Sequence, residues 1–182
     1  GLTATPFRSD DAAALALWTT EAYRYRLGDA LEDGVLVPWK IDRYRRDVND
    51  PDPDADETDR LCAEWIGSQS GPGVVSARSI EDATAYASAL RDRGIVAEAI
   101  HSQLPAKTVR ELLLRWEASA DSCGAYVPPV HASPIRVLVH VSMLAEGVDF
   151  PFMRWIVLRR PVSSAVRVVQ EFGRVLRSHP GK

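Results

Sequence analysis

From Gly71 onward, short apolar runs alternate with amphipathic stretches, and this alternation limits the possible folds more than any other feature of the chain. Between the runs, apolar residues recur at three- and four-residue spacing, as on one face of a helix. Strands that alternate with helices form parallel sheets with helices on both faces. The sequence therefore predicts an α/β fold with buried strands at residues 73–77, 95–100, 135–141 and 155–158.

Local signals place several boundaries of these elements. Ser79 and Asp82 have the spacing of a capping box at the start of the first helix, and Gly94 is placed to end it. Pro105 suits the first turn of the next helix. Residues 119–133, which contain Gly124, Pro128 and Pro129, predict a surface loop.

The first 70 residues have a different character. A helical stretch ends at Asp33 and Gly34, and residues 35–48 alternate well enough to predict an extended connecting strand. The acidic run 47–59 lacks the glycine and the bidentate glutamate of a calcium loop. No apolar strand precedes its Asp-Glu pair, as a magnesium-binding box would require. We therefore interpret this run as a solvated linker.

Composition excludes several classes of function. The net charge is −3, so a site for a polyanion has to come from local clusters of arginine and lysine. Cys62 and Cys123 are isolated, which argues against a disulfide framework and against paired metal-ligand spacing. No apolar run approaches the length of a membrane span. We expect a soluble, cytoplasmic protein with no metal ligands of its own.

The end of the chain carries the densest group of candidate functional residues. Its inner helical face is marked by Ala165, Val168, Val169, Phe172, Val175 and Leu176. Arg174 and Arg177 lie three residues apart and are therefore near one another on a helix. Two such arginines alone would most simply be solvated, so their interpretation depends on the rest of the chain.

Polar residues follow each predicted strand. In open parallel sheets, ligands bind at the carboxyl ends of the strands, so these residues are candidates for a functional site. Along the chain they are Arg78, Ser79, His101, Ser102, Gln103, Ser142, Glu146, Gly147 and Asp149, followed by Gln170, Arg174 and Arg177.

In this order the candidates resemble the second RecA-like domain of superfamily-two DEAD/DEAH-box helicases, in the restriction-subunit-like or repair-type branch. Residues 74–79 resemble the fourth motif, and residues 100–102 resemble the LHG strand end with serine in place of glycine. Residues 139–151 are similar to the fifth motif, with Ser142 in place of threonine. The sixth motif, QxxGRxxR, is matched by residues 170–177, and the third, GLTATPxR, by residues 1–8.

The resemblance implies an internal fragment, running from the third motif to the sixth. The chain contains no G-x-x-x-x-G-K-[ST], and the genuine Asp-Glu box would precede the third motif. We expect residues 1–34 to be the tail of a first RecA-like domain and residues 35–70 to be a linker strand and acidic loop. Residues 71–182 would then form the second RecA-like domain, a parallel sheet with helices on both faces.

The resemblance also implies a function: part of an ATP-dependent DNA helicase or translocase. ATP and Mg²⁺ would be bound mainly by the missing first domain, so the fragment alone is expected to be inactive. Arg177 would act as an arginine finger, with Arg174 as a second phosphate contact and Gln170 as an orienting hydrogen-bonding group. The implied nucleotide-site residues are Asp149, Gly147 and Gly173.

Nucleic acid, with DNA expected, is the implied partner, together with the first RecA-like domain. The residues implied to contact its backbone are Arg78, Ser79, Ser142, Thr3 and Thr5. Two alternatives remain open. One is a non-catalytic RecA-like module that binds nucleic acid or a protein partner. The other is a doubly wound nucleotide-binding enzyme of another kind, which would need a glycine-rich loop that residues 71–79 do not contain.

Overall fold

The computed structural model of the chain describes residues 26–42, 55–120, 134–141, 143, 150–159, 172–173 and 175–178. From residue 71 onward, the described helices and strands follow one another in the order that the sequence predicts. All the described elements, in chain order, are α1 (Leu27–Glu32), α2 (Ala55–Ser68), β1 (Gly73–Ser76), α3 (Ile80–Asp92), β2 (Ala97–Ile100), α4 (Ala106–Glu117), β3 (Val137–His140) and β4 (Trp155–Leu158).

The described strands form one parallel sheet in the order β2-β3-β1-β4. Ser76 lies opposite both His140 and Leu158, and Ile100 also lies opposite His140. The strands therefore end in one row, and the residues that follow them meet at one edge, which we call the carboxyl edge. The predicted parallel sheet is confirmed.

Helices cover both faces of this sheet. Val75 and Val139 pack with α2 and α3 on one face, whereas Val74 and Leu138 pack with α4 on the other. Successive side chains of a strand point to opposite faces, so a sheet covered on both sides needs apolar residues at nearly every position. This requirement explains why the strands are mostly apolar. Among the described helices, none is long and apolar enough to cross a membrane.

Helix α3 begins and ends where the sequence predicts, with one difference at its cap. Ser79 Oγ accepts a hydrogen bond from the Asp82 backbone N–H at 3.1 Å, as in a capping box. The Asp82 carboxylate, however, accepts from the N–H of Arg78 at 2.9 Å, one residue earlier than the standard box. Gly94 follows the helix with a φ of 77°, in the left-handed region that glycine adopts without strain.

The acidic run is wrong as a solvated linker in its last part, because α2 already begins at Ala55. This helix buries Ala63 and Ile66 against the sheet. Its last turn is held by Arg136, whose guanidinium donates to the carbonyl of Ile66 at 2.9 Å. Helix α2 therefore belongs to the layer that covers the sheet, whereas the domain boundaries themselves stay a prediction.

Residues 35–42, the described part of the predicted connecting strand, form no strand apart from a bridge residue at Leu36, and they do not join the sheet. Leu36 instead forms an antiparallel bridge with Arg177 near the end of the chain. Trp39 and Ile41 are 41% and 47% exposed. The segment thus crosses the surface of the domain, starting from Gly34, whose φ of 70° ends the turn after α1 as predicted.

Candidate functional site

The carboxyl edge brings together residues that are far apart in the sequence. Arg78 and Ser79 follow β1, His101 follows β2, and Arg159 follows β4. The Arg159 N–H donates to the carbonyl of Ser76 at 3.1 Å, so the pairing of β4 with β1 continues to the start of the loop. The expectation that strand-end residues meet at one edge is confirmed for the described residues.

The structure describes four of the predicted site residues: Arg78, Ser79, Gly173 and Arg177. The others lie outside the described residues, and their roles stay predictions. They are Thr3, Thr5, Ser142, Gly147, Asp149, Gln170 and Arg174.

Arg78 and Ser79 form an exposed corner at the start of α3. The side chain of Arg78 is 62% exposed, and its Nε lies 3.6 Å from Asp82 Oδ2. Ser79 is exposed and caps the helix, but a hydroxyl that accepts one bond can still donate another. The Asp82 carboxylate offsets the positive end of the helix dipole. Attraction for an anion at this corner must therefore come from the Arg78 guanidinium.

A charged cluster behind this corner was missed by the sequence analysis. The side chain of Arg159 is 9% exposed, and its guanidinium binds Asp59 Oδ1 at 2.5 Å and Asp82 Oδ1 at 2.8 Å. The same guanidinium lies 3.8 Å from the ring centroid of Tyr86, in cation–π geometry. We call Arg159, Asp59, Asp82 and Tyr86 the Arg159 cluster. It joins α2, α3 and the end of β4 at the carboxyl edge.

The charged groups in the Arg159 cluster stabilise one another's ionised forms. Burial alone would raise the pKa of Asp82, but the N–H of Arg78 and the charge of Arg159 outweigh it and hold that pKa below its ordinary value. Burial would likewise lower the pKa of Arg159, but hydrogen bonding to Asp59 and the charge of Asp59 raise it. Asp82 and Arg159 are therefore both ionised at neutral pH.

One signal in the sequence could have found Arg159. Arg159 directly follows the apolar run of β4, so it has the same position as the other candidate residues, each of which follows a strand. No comparable signal marked Asp59, because its acidic neighbours gave it the character of a solvated charge run.

Near the end of the chain, Phe172, Gly173 and Val175 are helical, and Val175 packs against the core on the α4 side of the sheet. Arg177 follows this helix and is exposed. No described atom lies within 4 Å of the place where a Cβ on Gly173 would stand. The described residues therefore give no packing reason for glycine there.

Among the described residues, no group of three or more His, Cys, Asp or Glu side chains could hold a metal ion. Arg78 and Ser79 give the carboxyl edge a guanidinium and a hydroxyl, which are donors that suit phosphate groups.

Comparison with known proteins finds one matching family and several similar proteins. Residues 57–179 match the family described as "Helicase conserved C-terminal domain". "Putative helicase 22" of Sulfolobus islandicus filamentous virus (isolate Iceland/Hveragerdi) is 28% identical over 111 residues, 61% of this chain and 17% of that protein.

Two solved structures are also similar. The structure titled "ATP-dependent Type ISP restriction-modification enzyme LlaBIII bound to DNA" has a TM-score of 0.62 at 21% identity, and the match covers 100% of this chain and 14% of that one. The Pyrococcus furiosus Hef helicase domain is 26% identical over 70% of this chain and 24% of its own, with a TM-score of 0.46. This chain thus spans 14% of LlaBIII and 17% of the viral protein. The predicted fold class is confirmed.

Proposed function

The chain belongs to the family of helicase conserved C-terminal domains, as the resemblance to superfamily-two helicases predicted, and we propose that it completes the ATP site of a DNA helicase or translocase. In this proposal it is the second of two RecA-like domains, and ATP is hydrolysed between them. A domain outside this chain would hold the phosphates and Mg²⁺, which neutralises negative charge on them.

The chain's own contribution would be positioned positive charge. Arg177 would contact the transferring phosphoryl group, Arg174 would make a second phosphate contact, and Gln170 would orient the reacting groups by hydrogen bonding. Asp149, Gly147 and Gly173 would line the nucleotide. Such catalysis relies on donors that are already in place when charge develops, because little reorganisation is then needed.

The position of Arg177 is the observation that carries this proposal. Arg177 is exposed, as a side chain that must reach another domain has to be. It follows the helix whose Val175 packs on the sheet, and its backbone is paired with Leu36. The family match extends through this segment. An exposed guanidinium on a fixed backbone is what a finger requires.

Arg78 and Ser79 would supply the described part of a nucleic-acid site. A guanidinium and a hydroxyl contact phosphates without reading the base sequence. Arg78 and Arg159 face two carboxylates, Asp59 and Asp82, so these four groups together carry no net charge. Directed hydrogen bonds would therefore matter more here than a broad positive field. The similar structure of LlaBIII is bound to DNA, and for this reason we propose DNA rather than RNA as the partner.

The experiment that tests this function uses the full-length protein with DNA present. We expect Arg177→Ala to lower ATP turnover by about a thousandfold or more while the affinity for ATP changes little. Arg93→Ala is the matched control, because Arg93 is also exposed but lies after α3, at the opposite end of that helix from Arg78. Its turnover should stay within about twofold of the wild type.

Unchanged turnover in Arg177→Ala would refute the finger assignment. If DNA binding persisted while the wild type hydrolysed no ATP, the alternative of a non-catalytic RecA-like binding module would be favoured instead.

A further inference from the structure

The segment after α1 pairs with the backbone on both sides of Arg177. The N–H of Val37 donates to the carbonyl of Leu176 at 2.8 Å, and the N–H of Ser178 donates to the carbonyl of Val35 at 3.4 Å. Leu36 and Arg177 lie opposite one another between these bonds, in antiparallel register. We call residues 35–37 the strap. Its pairing lies outside the parallel sheet.

The strap and the residues that follow it are attached to other parts of the chain. The carbonyl of Ala30 in α1 accepts from the N–H groups of Val35 at 2.9 Å and Leu36 at 3.0 Å. Five residues after the strap, the Asp42 carboxylate accepts from the indole N–H of Trp65 in α2 at 3.2 Å. The strap therefore links α1, which we assign to the tail of the first domain, to the second domain by way of Arg177.

The strength of this pairing suits a positioning role. A backbone hydrogen bond makes only a modest net contribution to stability, so the two described bonds restrain the backbone of Arg177 without making it immovable. The rate effect of such a restraint can be much larger than its energy suggests, since a displacement of about 1 Å at a reacting group costs about a hundredfold in rate.

We propose that the strap is a positioning element for Arg177, which holds the finger in register and makes its placement depend on the first domain. This inference rests on the proposed function, because it assigns a control to the same ATP site. Residues 35–37 do not themselves contact nucleotide in this proposal. They act through the backbone of Arg177.

The test compares two substitutions at one position in the full-length protein. Val37→Pro removes the N–H donor, whereas Val37→Ala trims the side chain and keeps the donor. We expect Val37→Pro to lower kcat for ATP by about 10- to 100-fold with KM within about twofold, and Val37→Ala to behave as the wild type. In the Arg177→Ala background, Val37→Pro should lower kcat no further, since the positioned group is gone.

Each outcome separates the inference from the function on which it rests. If Arg177→Ala keeps its turnover, the proposed function fails. If Arg177→Ala loses turnover while Val37→Pro matches Val37→Ala, the function stands and the strap inference is overturned. An additional loss from Val37→Pro in the Arg177→Ala background also overturns it, because the strap would then act on something else.

Thermal unfolding serves as the control that shows whether Val37→Pro damages the fold. The midpoint of Val37→Pro should lie within about 5 °C of that of Val37→Ala. If it lies lower, Ser178→Pro against Ser178→Ala repeats the comparison on the other hydrogen bond, with the same results supporting or overturning the proposal.

Discussion

Replacing Arg159 by methionine tests how the carboxyl edge is held together. Methionine keeps most of the apolar stem but removes the guanidinium from Asp59, Asp82 and the ring of Tyr86. Removing one partner of a buried ion pair typically costs about 3 to 5 kcal/mol, because the remaining charge stays buried. Here the cost should be smaller, since Asp59 is 37% exposed and can be hydrated, and Asp82 keeps its bond from the N–H of Arg78.

We therefore expect Arg159→Met to lower the free energy of unfolding by about 2 to 4 kcal/mol. With a slope of about 2 kcal/mol per molar urea, the urea midpoint should fall by about 1 to 2 M. Tryptophan fluorescence is a suitable probe, because Trp116 and Trp155 are buried in the two halves of the core.

Arg60→Met is the matched control, with the same substitution in an ion pair on the surface of α2. Arg60 binds Glu64 at 2.7 Å, but the side chains are 50% and 60% exposed. Exposed pairs of this kind contribute less than about 1 kcal/mol. A loss in Arg159→Met no larger than that in Arg60→Met would refute the view that the Arg159 cluster fastens α2, α3 and β4 together.

Two further predictions concern stability. The folded pKa of Asp82 lies below its ordinary value, so its contribution to stability is complete above about pH 4 and is lost as pH falls through the folded pKa. Between pH 6 and 3, the urea midpoint of the wild type should therefore fall more steeply than that of Asp82→Asn. The same dependence of the midpoint on pH in both proteins would contradict this prediction. The second prediction concerns packing: Gly73→Ala should lower the free energy of unfolding by about 1 to 3 kcal/mol, because its Cβ would overlap the Trp155 ring. Gly67→Ala, with no described atom within 4 Å of the new Cβ, should be neutral or stabilising in the same urea assay, and equal effects at the two positions would refute the packing argument.

The sequence predicts the sheet, the helices and the order of the strand-end residues because each of these features depends on residues that are close together in the sequence. Buried strands in a sheet that is covered on both faces must be apolar throughout, and helices repeat their apolar residues at a fixed spacing. The cap at Ser79 and the turn at Gly94 depend on residues within one turn of the helix. Such features need no knowledge of distant contacts.

The Arg159 cluster was not predictable in the same way, since Asp59, Asp82 and Arg159 meet through the order of the strands. The neighbouring positions of β4 and β1 bring Arg159 to the start of α3. Asp59 reaches it because α2 extends further toward the amino terminus than its apolar residues indicate. Pairing of residues 35–37 with 176–178 left no signature either, because backbone hydrogen bonds place no demand on side-chain type.

In the proposed function, Arg177 acts on the transferring phosphoryl group rather than on bound ATP. The most direct test measures the affinity of the full-length protein for ADP with aluminium fluoride, which mimics that group, beside its affinity for a non-hydrolysable ATP analogue. A finger is worth about a thousandfold or more in the transition state, so Arg177→Ala should weaken binding of the mimic by a large part of that factor. Binding of the ATP analogue should change by less than about threefold. Equal losses for the two ligands, or no loss for the mimic, would contradict the claim.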